Sequence, residues 1–114
     1  MAVPRSRWFR AAVAGSSMEP TLRHDDFLLV TRLRDQSSVR VGDVVLARFD
    51  VRPGLLVVKR VERVAPEGVW LTGDNAAGSD ASETYGWAQP VGRVFARYWP
   101  RPALIRRGRP SHRR

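Results

Sequence analysis

Five short apolar runs, each bounded by Gly, Asp or Pro, most strongly limit the folds open to this chain. They are DFLLVTRLR (26–34), GDVVLARFD (42–50), GLLVVKRVERV (54–64), GVWLTGD (68–74) and PVGRVFARYWP (90–100). Short runs rich in Val, Leu and Phe are typical of strands, and outside the N-terminal region no helical period is sustained. The pattern predicts a mainly β fold, as a small antiparallel sheet or a partly closed barrel.

Chain length and charge distribution predict a single folded domain between two basic ends. A chain of 114 residues has room for one compact domain, and a hydrophobic fraction of 43% is sufficient for a core. The formal charge of +9 arises outside residues 11–100, which contain eleven basic and eleven acidic residues. We therefore predict a basic N-terminal arm at 1–12, a folded domain at 13–100 and a basic, disordered tail at 101–114.

We interpret the basic ends as solubilising segments that attract polyanions weakly, and we predict no specific nucleic-acid interface. The alternative interpretation is that they contact acidic lipid or an acidic partner. The longest apolar stretch near the start is interrupted by Arg10. It falls short of the roughly 20 residues that a membrane-spanning helix needs. We expect no transmembrane anchor and a cytoplasmic location, while weak membrane-surface contact through Trp8 and Phe9 stays open.

The residue inventory removes several classes of chemistry. The chain has no cysteine, which excludes disulfides, thiolate metal ligands and cysteine nucleophiles. The two histidines, His24 and His112, are too few for a histidine-rich metal site. We predict neither a metal ion nor a cofactor.

Lys59 is the single lysine among twenty basic residues, and the other nineteen are arginine. A coding bias explains most of this imbalance, but only lysine can serve as a general base, because arginine stays protonated in proteins. In the strand VVKRV, Val57, Lys59 and Val61 share one face. We expect Lys59 to be buried on that face, and burial favours the neutral amine that a general base requires.

The segment VAGSSMEPTL (13–22) places two serines in a turn whose apolar anchors are Met18 and Leu22. A serine hydroxyl is a poor nucleophile until a neighbouring base takes its proton. Ser17 with Lys59 as its base would form the Ser-Lys variant of a catalytic triad.

Two alternatives stay open at this point. The serine turn can be purely structural, with its hydroxyls facing water or capping a short helix. His24 with Asp25 or Asp26 can form a conventional triad with Ser17, although the segment LRHDD is typical of a solvent-facing turn.

Four segments, GSSMEPTL, GDVVLARF, VVKRV and TGDNAAGS, resemble in order and wording the sequence boxes of the type I signal peptidases, the Ser-Lys peptidases of the S26 class. The resemblance covers about residues 13–98. It implies the signal-peptidase catalytic fold. It also implies a precursor polypeptide as substrate, with small residues near the scissile bond.

The resemblance implies a role for each matching residue. Ser17 is the nucleophile, and its backbone N–H donates to the oxyanion. Lys59 is the general base, and the hydroxyl of Ser79 orients it. Asp43 belongs to a structural turn. The residues that match the wall of the site are Met18, Gly73, Asp74 and Asn75.

The sequence departs from the family at two places near the site. Some relatives carry a serine two positions before the nucleophile, and its hydroxyl completes the oxyanion hole. This chain has Gly15 there, so either Ser16 or a backbone N–H must supply the second donor. Asp80 and Ser82 lie near the family's Asp-Ser-Arg segment but out of register with it, which leaves a salt bridge there unassigned.

The membrane anchor and the large second β domain of secretory signal peptidases have no counterpart in this sequence. In size and in the wording SMEPTLRHDD, the chain resembles the short soluble proteases that mature nickel-type superoxide dismutase. We therefore expect a serine endopeptidase that removes an N-terminal leader from a precursor, with the nickel-type dismutase as the predicted precursor.

Two rival functions are weighed against this one. A self-cleaving regulator of the SOS-repressor type (S24) shares the Ser-Lys pair, but Ala14-Gly15 lies too close to Ser17 for that bond to fold back onto the nucleophile. A non-catalytic basic β domain would bind nucleic acid or protein through its arginines, with strong salt dependence and with indifference to Ser17→Ala.

Overall fold

The computed structural model of the chain describes residues 6–75 and 81–108. Within these ranges lie the strands β1 (Trp8–Ala12), β2 (Phe27–Arg32), β3 (Val44–Phe49), β4 (Arg52–Ala65), β5 (Gly68–Thr72), β6 (Ala88–Trp99) and β7 (Ala103–Leu104). A helical turn, α1 (Ser82–Tyr85), and a 3-10 turn at Gln36–Ser38 complete the elements. The strand pairings are antiparallel. The mainly β prediction is confirmed, and the five predicted runs correspond to β2 to β6.

β6 joins two parts of the sheet. The strand order is β1-β2-β6-β3-β4-β5, with β7 also paired to β6. Residues 88–93 of β6 pair with β3, and residues 92–99 pair with β2. Because β5 returns to β6 where Val69 lies opposite Ala88, β3, β4, β5 and β6 form a ring of hydrogen-bonded strands. β1 and β2 extend from that ring, which matches the predicted partial closure.

β3 lies between two hydrophobic clusters. Val44 and Leu46 pack in the first cluster, which also holds the residues that anchor the loop between β1 and β2. Val45, Ala47 and Phe49 pack in the second cluster, inside the ring. Successive side chains of a strand point to opposite faces, so β3 contributes side chains to both clusters and connects them.

The two chain ends are more ordered than predicted. The predicted basic arm includes β1, which pairs along its length with β2 and buries Phe9 in the first cluster. The predicted disordered tail includes β7, and beyond it the Ile105 N–H donates to the Phe95 carbonyl at 2.9 Å. Charge content conceals the apolar side chains among the arginines of these segments, so the strands and hydrogen bonds at residues 8–12 and 103–108 were not predicted. Residues 1–5 and 109–114 lie outside the described ranges.

No helix in the described part of the chain combines the length and the apolar character needed to cross a membrane.

Candidate active site

Ser17 lies in the loop between β1 and β2, residues 13–26, which we name the serine loop. Met18 and Leu22 are 1% and 0% exposed and pack in the first hydrophobic cluster. The residue that precedes Met18 is therefore held directly above the core. Ser17 is half-buried, whereas Ser16 is exposed to solvent.

Polar contacts fix the serine loop from the side opposite its serines. The Val13 N–H donates to the Asp26 carbonyl at 2.9 Å. The buried carboxylate of Asp26 accepts from the Arg23 N–H at 2.8 Å and from Arg97 Nη1 at 3.5 Å. Arg97 Nη1 also donates to the Thr21 carbonyl at 3.1 Å. One guanidinium on β6 thus holds the second half of the loop, at Thr21 and Asp26.

Lys59 lies on β4 opposite Val45 of β3 and is 5% exposed, so its predicted burial is confirmed. Val57 and Val61 pack in or against the second cluster, while Val58 packs against the first. This is the predicted alternation of faces along VVKRV.

Ser17 and Lys59 line the same cavity, which has a volume of about 470 Å³ and lies between β1 and β4. Most of its other lining residues are apolar, among them Ala11, Val13, Leu46 and Leu56. Ser17 and Lys59 therefore both border one mostly apolar cavity. Ser79, the predicted orienting residue, lies outside the described residues.

Asn75 fastens the backbone of both serines. Its N–H donates to the Ser17 carbonyl at 2.8 Å, and its side-chain amide donates to the Ser16 carbonyl at 3.1 Å. The Ser16 carbonyl also accepts from the Glu19 N–H at 3.1 Å. The peptide unit that joins the two serines is consequently fixed at its oxygen by two donors.

Asp74 links the serine loop to the strand of Lys59. Its two carboxylate oxygens accept from Nε and Nη2 of Arg60, each at 2.7 Å, and Oδ2 also accepts from the Thr21 hydroxyl. Arg60 directly follows Lys59, and its third nitrogen, Nη1, donates to the Gly42 carbonyl at 2.8 Å. The side chains of this pair are 7% and 5% exposed, and bidentate geometry of this kind is the strong form of such an ion pair.

The residues predicted for the wall of the site lie behind the cavity. Met18 is part of the core, and Asp74 and Asn75 bond to the serine loop and to β4. Gly73 is buried beside them. None of these four belongs to the lining of the cavity that Ser17 and Lys59 share, so within the described residues they support the site from outside.

A family model described as Peptidase S24-like matches residues 1–95 of the chain. The chain belongs to this family. In the described structure of this S24-like chain, Ser17 and Lys59 border the same cavity.

A curated protein with a similar sequence is the mitochondrial inner membrane protease subunit 1 of Xenopus tropicalis. It is 34% identical over 111 residues, a match that covers 76% of this chain. The match covers 66% of the relative, so the S24-like chain spans just under two thirds of that protein's length. Both comparisons support a serine peptidase. They do not extend to the predicted group of dismutase maturation proteases, which stays a prediction.

His24, the alternative base, has a structural position in this S24-like peptidase. Its Nδ1 accepts the Gly15 N–H at 3.0 Å, which fixes the loop where Gly15 takes a φ of +86°. Its Nε2 lies 3.4 Å from a carboxylate oxygen of Asp25, and 63% of the side chain is exposed. His24 does not line the cavity of Ser17. Of the two candidate bases, Lys59 is the one that borders this cavity.

Arg60 is the residue that sequence reasoning missed. It is 6% exposed and joins three parts of the site, yet it is one of nineteen arginines and carries no distinguishing motif. The predicted position of Asp74 beside the site could have pointed to Arg60, because a buried carboxylate needs a cationic or hydrogen-bonding partner. Ser82, out of register with the family segment, is also structural, since its Oγ accepts the Leu71 N–H at 2.7 Å.

The described residues contain no group of three or more His, Cys, Asp or Glu side chains placed to hold a metal ion.

Proposed function

We propose that this chain is a serine endopeptidase with Ser17 as nucleophile and Lys59 as general base, and that it removes an N-terminal leader from a precursor protein. The observation that carries the proposal is the shared cavity, in which a half-buried serine and a lysine that is 5% exposed lie together. Lysine rather than arginine is required at this position, because the base must exist in its neutral form.

The reaction follows the general sequence of serine acyl transfer. The neutral amine of Lys59 takes the proton of the Ser17 hydroxyl while Oγ attacks the scissile carbonyl. The resulting ammonium gives that proton to the leaving amine, and the peptide bond breaks to leave an acyl-enzyme. A water molecule then attacks the ester with Lys59 again as base, and Ser17 is regenerated.

The fixed peptide between the two serines supports the Ser17 N–H as an oxyanion donor. Because a trans peptide unit is planar, its N–H points opposite to its carbonyl. Asn75 and Glu19 hold the Ser16 carbonyl, and this orients the Ser17 N–H without using it. Within the described ranges that N–H donates to no other group. We assign the second donor to the exposed hydroxyl of Ser16, and the orientation of Lys59 to Ser79.

The position of β1 supports a peptide substrate in extended form. β1 is the first strand of the sheet order and pairs with β2, and an edge strand can accept a further strand through its backbone groups. Residues 10–14 also line the cavity of Ser17, so a peptide added along β1 would bring its scissile bond to the serine. Alanine and valine side chains at this wall suit small substrate residues. A cytoplasmic location stays part of the proposal.

The test is incubation of the purified chain with a nickel-type superoxide dismutase precursor that carries its leader, followed by intact-mass measurement. We expect loss of the leader mass, abolished in Ser17→Ala and retained in Ser38→Ala, a control in the exposed 3-10 turn. Cleavage of a generic precursor peptide with small residues, without cleavage of the dismutase precursor, would keep the peptidase and reject this substrate. Cleavage that persists in Ser17→Ala would reject the mechanism.

The S24-like family match favours one second candidate, a regulator that cleaves itself. The bond Ala14-Gly15 lies in the serine loop, where the Gly15 N–H is held by His24 at 3.0 Å. Cleavage of that bond by Ser17 of the same chain would require the loop to open. Incubation of the chain alone tests this candidate: mass loss at a rate independent of protein concentration would favour self-cleavage over action on a separate precursor.

A further inference from the structure

The described chain ends in a segment that crosses the turn before β3. We name residues 103–108 the C-terminal strap. It begins with β7, continues through the hydrogen bond between Ile105 and Phe95, and reaches the turn with Arg107 and Gly108. Arg107 Nε donates to Asp43 Oδ1 at 2.7 Å, and the Gly108 N–H donates to the Gly42 carbonyl at 3.1 Å.

The strap and the turn are in direct backbone contact. Gly42 has a φ of +93°, and a Cβ added to it would lie 2.3 Å from the Gly108 carbonyl oxygen and 2.9 Å from Arg107 Cγ. Asp43 is buried, and its other carboxylate oxygen accepts the Arg40 N–H at 2.9 Å. The guanidinium of Arg107 is the cation paired with this buried carboxylate, and a buried carboxylate that loses its cation is strongly destabilised.

The turn leads directly to the catalytic strand. Its Gly42 carbonyl accepts from Gly108 of the strap and from Arg60 Nη1, at 3.1 and 2.8 Å. The Gly42 N–H donates to the Val61 carbonyl and the Val61 N–H to the Asp43 carbonyl, both at 2.8 Å. The strap therefore contacts the turn where the turn is hydrogen-bonded to Val61 of β4, two residues after Lys59.

We propose that Arg107 is a positioning residue for the Ser17–Lys59 site. It holds the strap on the Gly42–Asp43 turn, the turn holds Arg60, and Arg60 fixes both Lys59 on β4 and, through Asp74, the serine loop. This inference rests on the proposed function, since it assigns Arg107 a part in the reactivity of the same pair. Residues near a site that act through such contacts hold reacting groups in productive geometry.

The experiment measures the modification of Ser17 by a small fluorophosphonate, which needs no knowledge of the precursor. In this reaction Ser17 Oγ displaces fluoride from phosphorus, and the hydroxyl proton passes to the base. The limiting rate of labelling and the half-saturating probe concentration are measured for the full chain, for Arg107→Ala and Arg107→Lys, and for Arg106→Ala as the matched control. Arg106 is an exposed neighbour on the same strap. Rates are normalised to the folded fraction from near-ultraviolet circular dichroism.

We expect the limiting rate of Arg107→Ala to fall by about tenfold with little change in half-saturation, because small displacements of reacting groups act on the chemical step. Arg107→Lys should recover part of the rate, and Arg106→Ala should keep all of it. Should Arg107→Ala fail to fold, Arg107→Gln takes its place with the same expectation.

Equal normalised rates for Arg107→Ala and Arg106→Ala would overturn the positioning role while leaving the peptidase in place. Failure of the unmodified chain to react, or equal labelling of Ser17→Ala, would overturn the proposed function and this inference with it.

Discussion

Ser17 and Lys59 border one cavity, but the two regions that carry them are held by different interactions. Lys59 belongs to β4, which pairs with β3 along residues 52–60 and with β5 along residues 60–65. Ser17 belongs to an irregular loop fixed by two apolar anchors and by side chains that come from elsewhere. A strand position depends on many backbone bonds of similar strength, whereas a loop position depends on a few individual residues. We therefore expect the removal of one contact in the serine loop to lower activity more than the removal of a comparable contact on β4.

The largest effect is expected at the base itself. Lys59→Arg keeps a cation on β4 but cannot accept a proton, so kcat/KM for a precursor peptide should fall by about 10⁴-fold or more. Lys59→Met, which keeps a side chain of similar length but has no amine, should lose the same activity. Steady-state cleavage and urea unfolding check both variants. Substantial turnover by Lys59→Arg would contradict the assignment of the base.

The next effect is expected at the pair that joins the two regions. Asp74→Asn leaves the buried Arg60 guanidinium without its charge partner, and we expect a loss of about 4 kcal/mol in unfolding free energy. Asp25→Asn, at an exposed acid of the serine loop, should change it by about 0.5 kcal/mol or less. Urea titrations of both variants make the comparison. A similar small change in both would mean that the loop and β4 are stabilised independently.

A smaller loss is expected at the apolar anchor of the loop. Met18→Ala should cost about 3 kcal/mol through the lost burial and the cavity left behind, and it should reduce kcat because Ser17 is the preceding residue. Leu55 lies at the exposed rim of the cavity that Ser17 borders, and Leu55→Ala should cost under about 1 kcal/mol of unfolding free energy. Unfolding and cleavage measured on one preparation separate these effects. Unchanged kcat in folded Met18→Ala would show that the anchor does not position the nucleophile.

The smallest effect on stability is expected at Asn75. Asn75→Ala removes the side-chain bond to the Ser16 carbonyl but keeps the backbone bond to Ser17, so it should cost about 1 kcal/mol. We expect kcat to fall by about tenfold with KM nearly unchanged, because the released peptide carries the proposed oxyanion donor, the Ser17 N–H. Asn75→Asp, which keeps the shape but cannot donate, should match Asn75→Ala in kcat. A change in KM alone would instead place Asn75 in substrate binding.

The strand of Lys59 was predictable because its pattern repeats with the period of a strand. Valines two residues to either side of Lys59 predicted a shared apolar face, and Val57 and Val61 do pack with the second cluster. The positions of β2 to β6 followed from the same kind of pattern. Local periodicity is sufficient where neighbouring residues decide the environment.

The contacts that assemble the site were not predictable from one sequence. Arg60 and Asp74 meet because of the β4–β5 register and the turn that follows β5, and no local pattern encodes that meeting. β1 and the strap lie in arginine-rich segments, so composition predicted a basic arm and a disordered tail, whereas the pairing with β2 and β6 determines their structure. Long-range pairing is the information that a local reading lacks.

The position of β6 has a consequence for the time at which the enzyme becomes active during synthesis. In the described sheet β2 and β3 do not pair with each other, since each pairs with β6. A chain that leaves the ribosome from its N-terminus thus exposes the serine loop and the lysine strand as two separate pieces. Only after residues 88–99 have emerged can a common strand align nucleophile and base. A growing chain is therefore expected to remain inactive until β6 has paired with both β2 and β3.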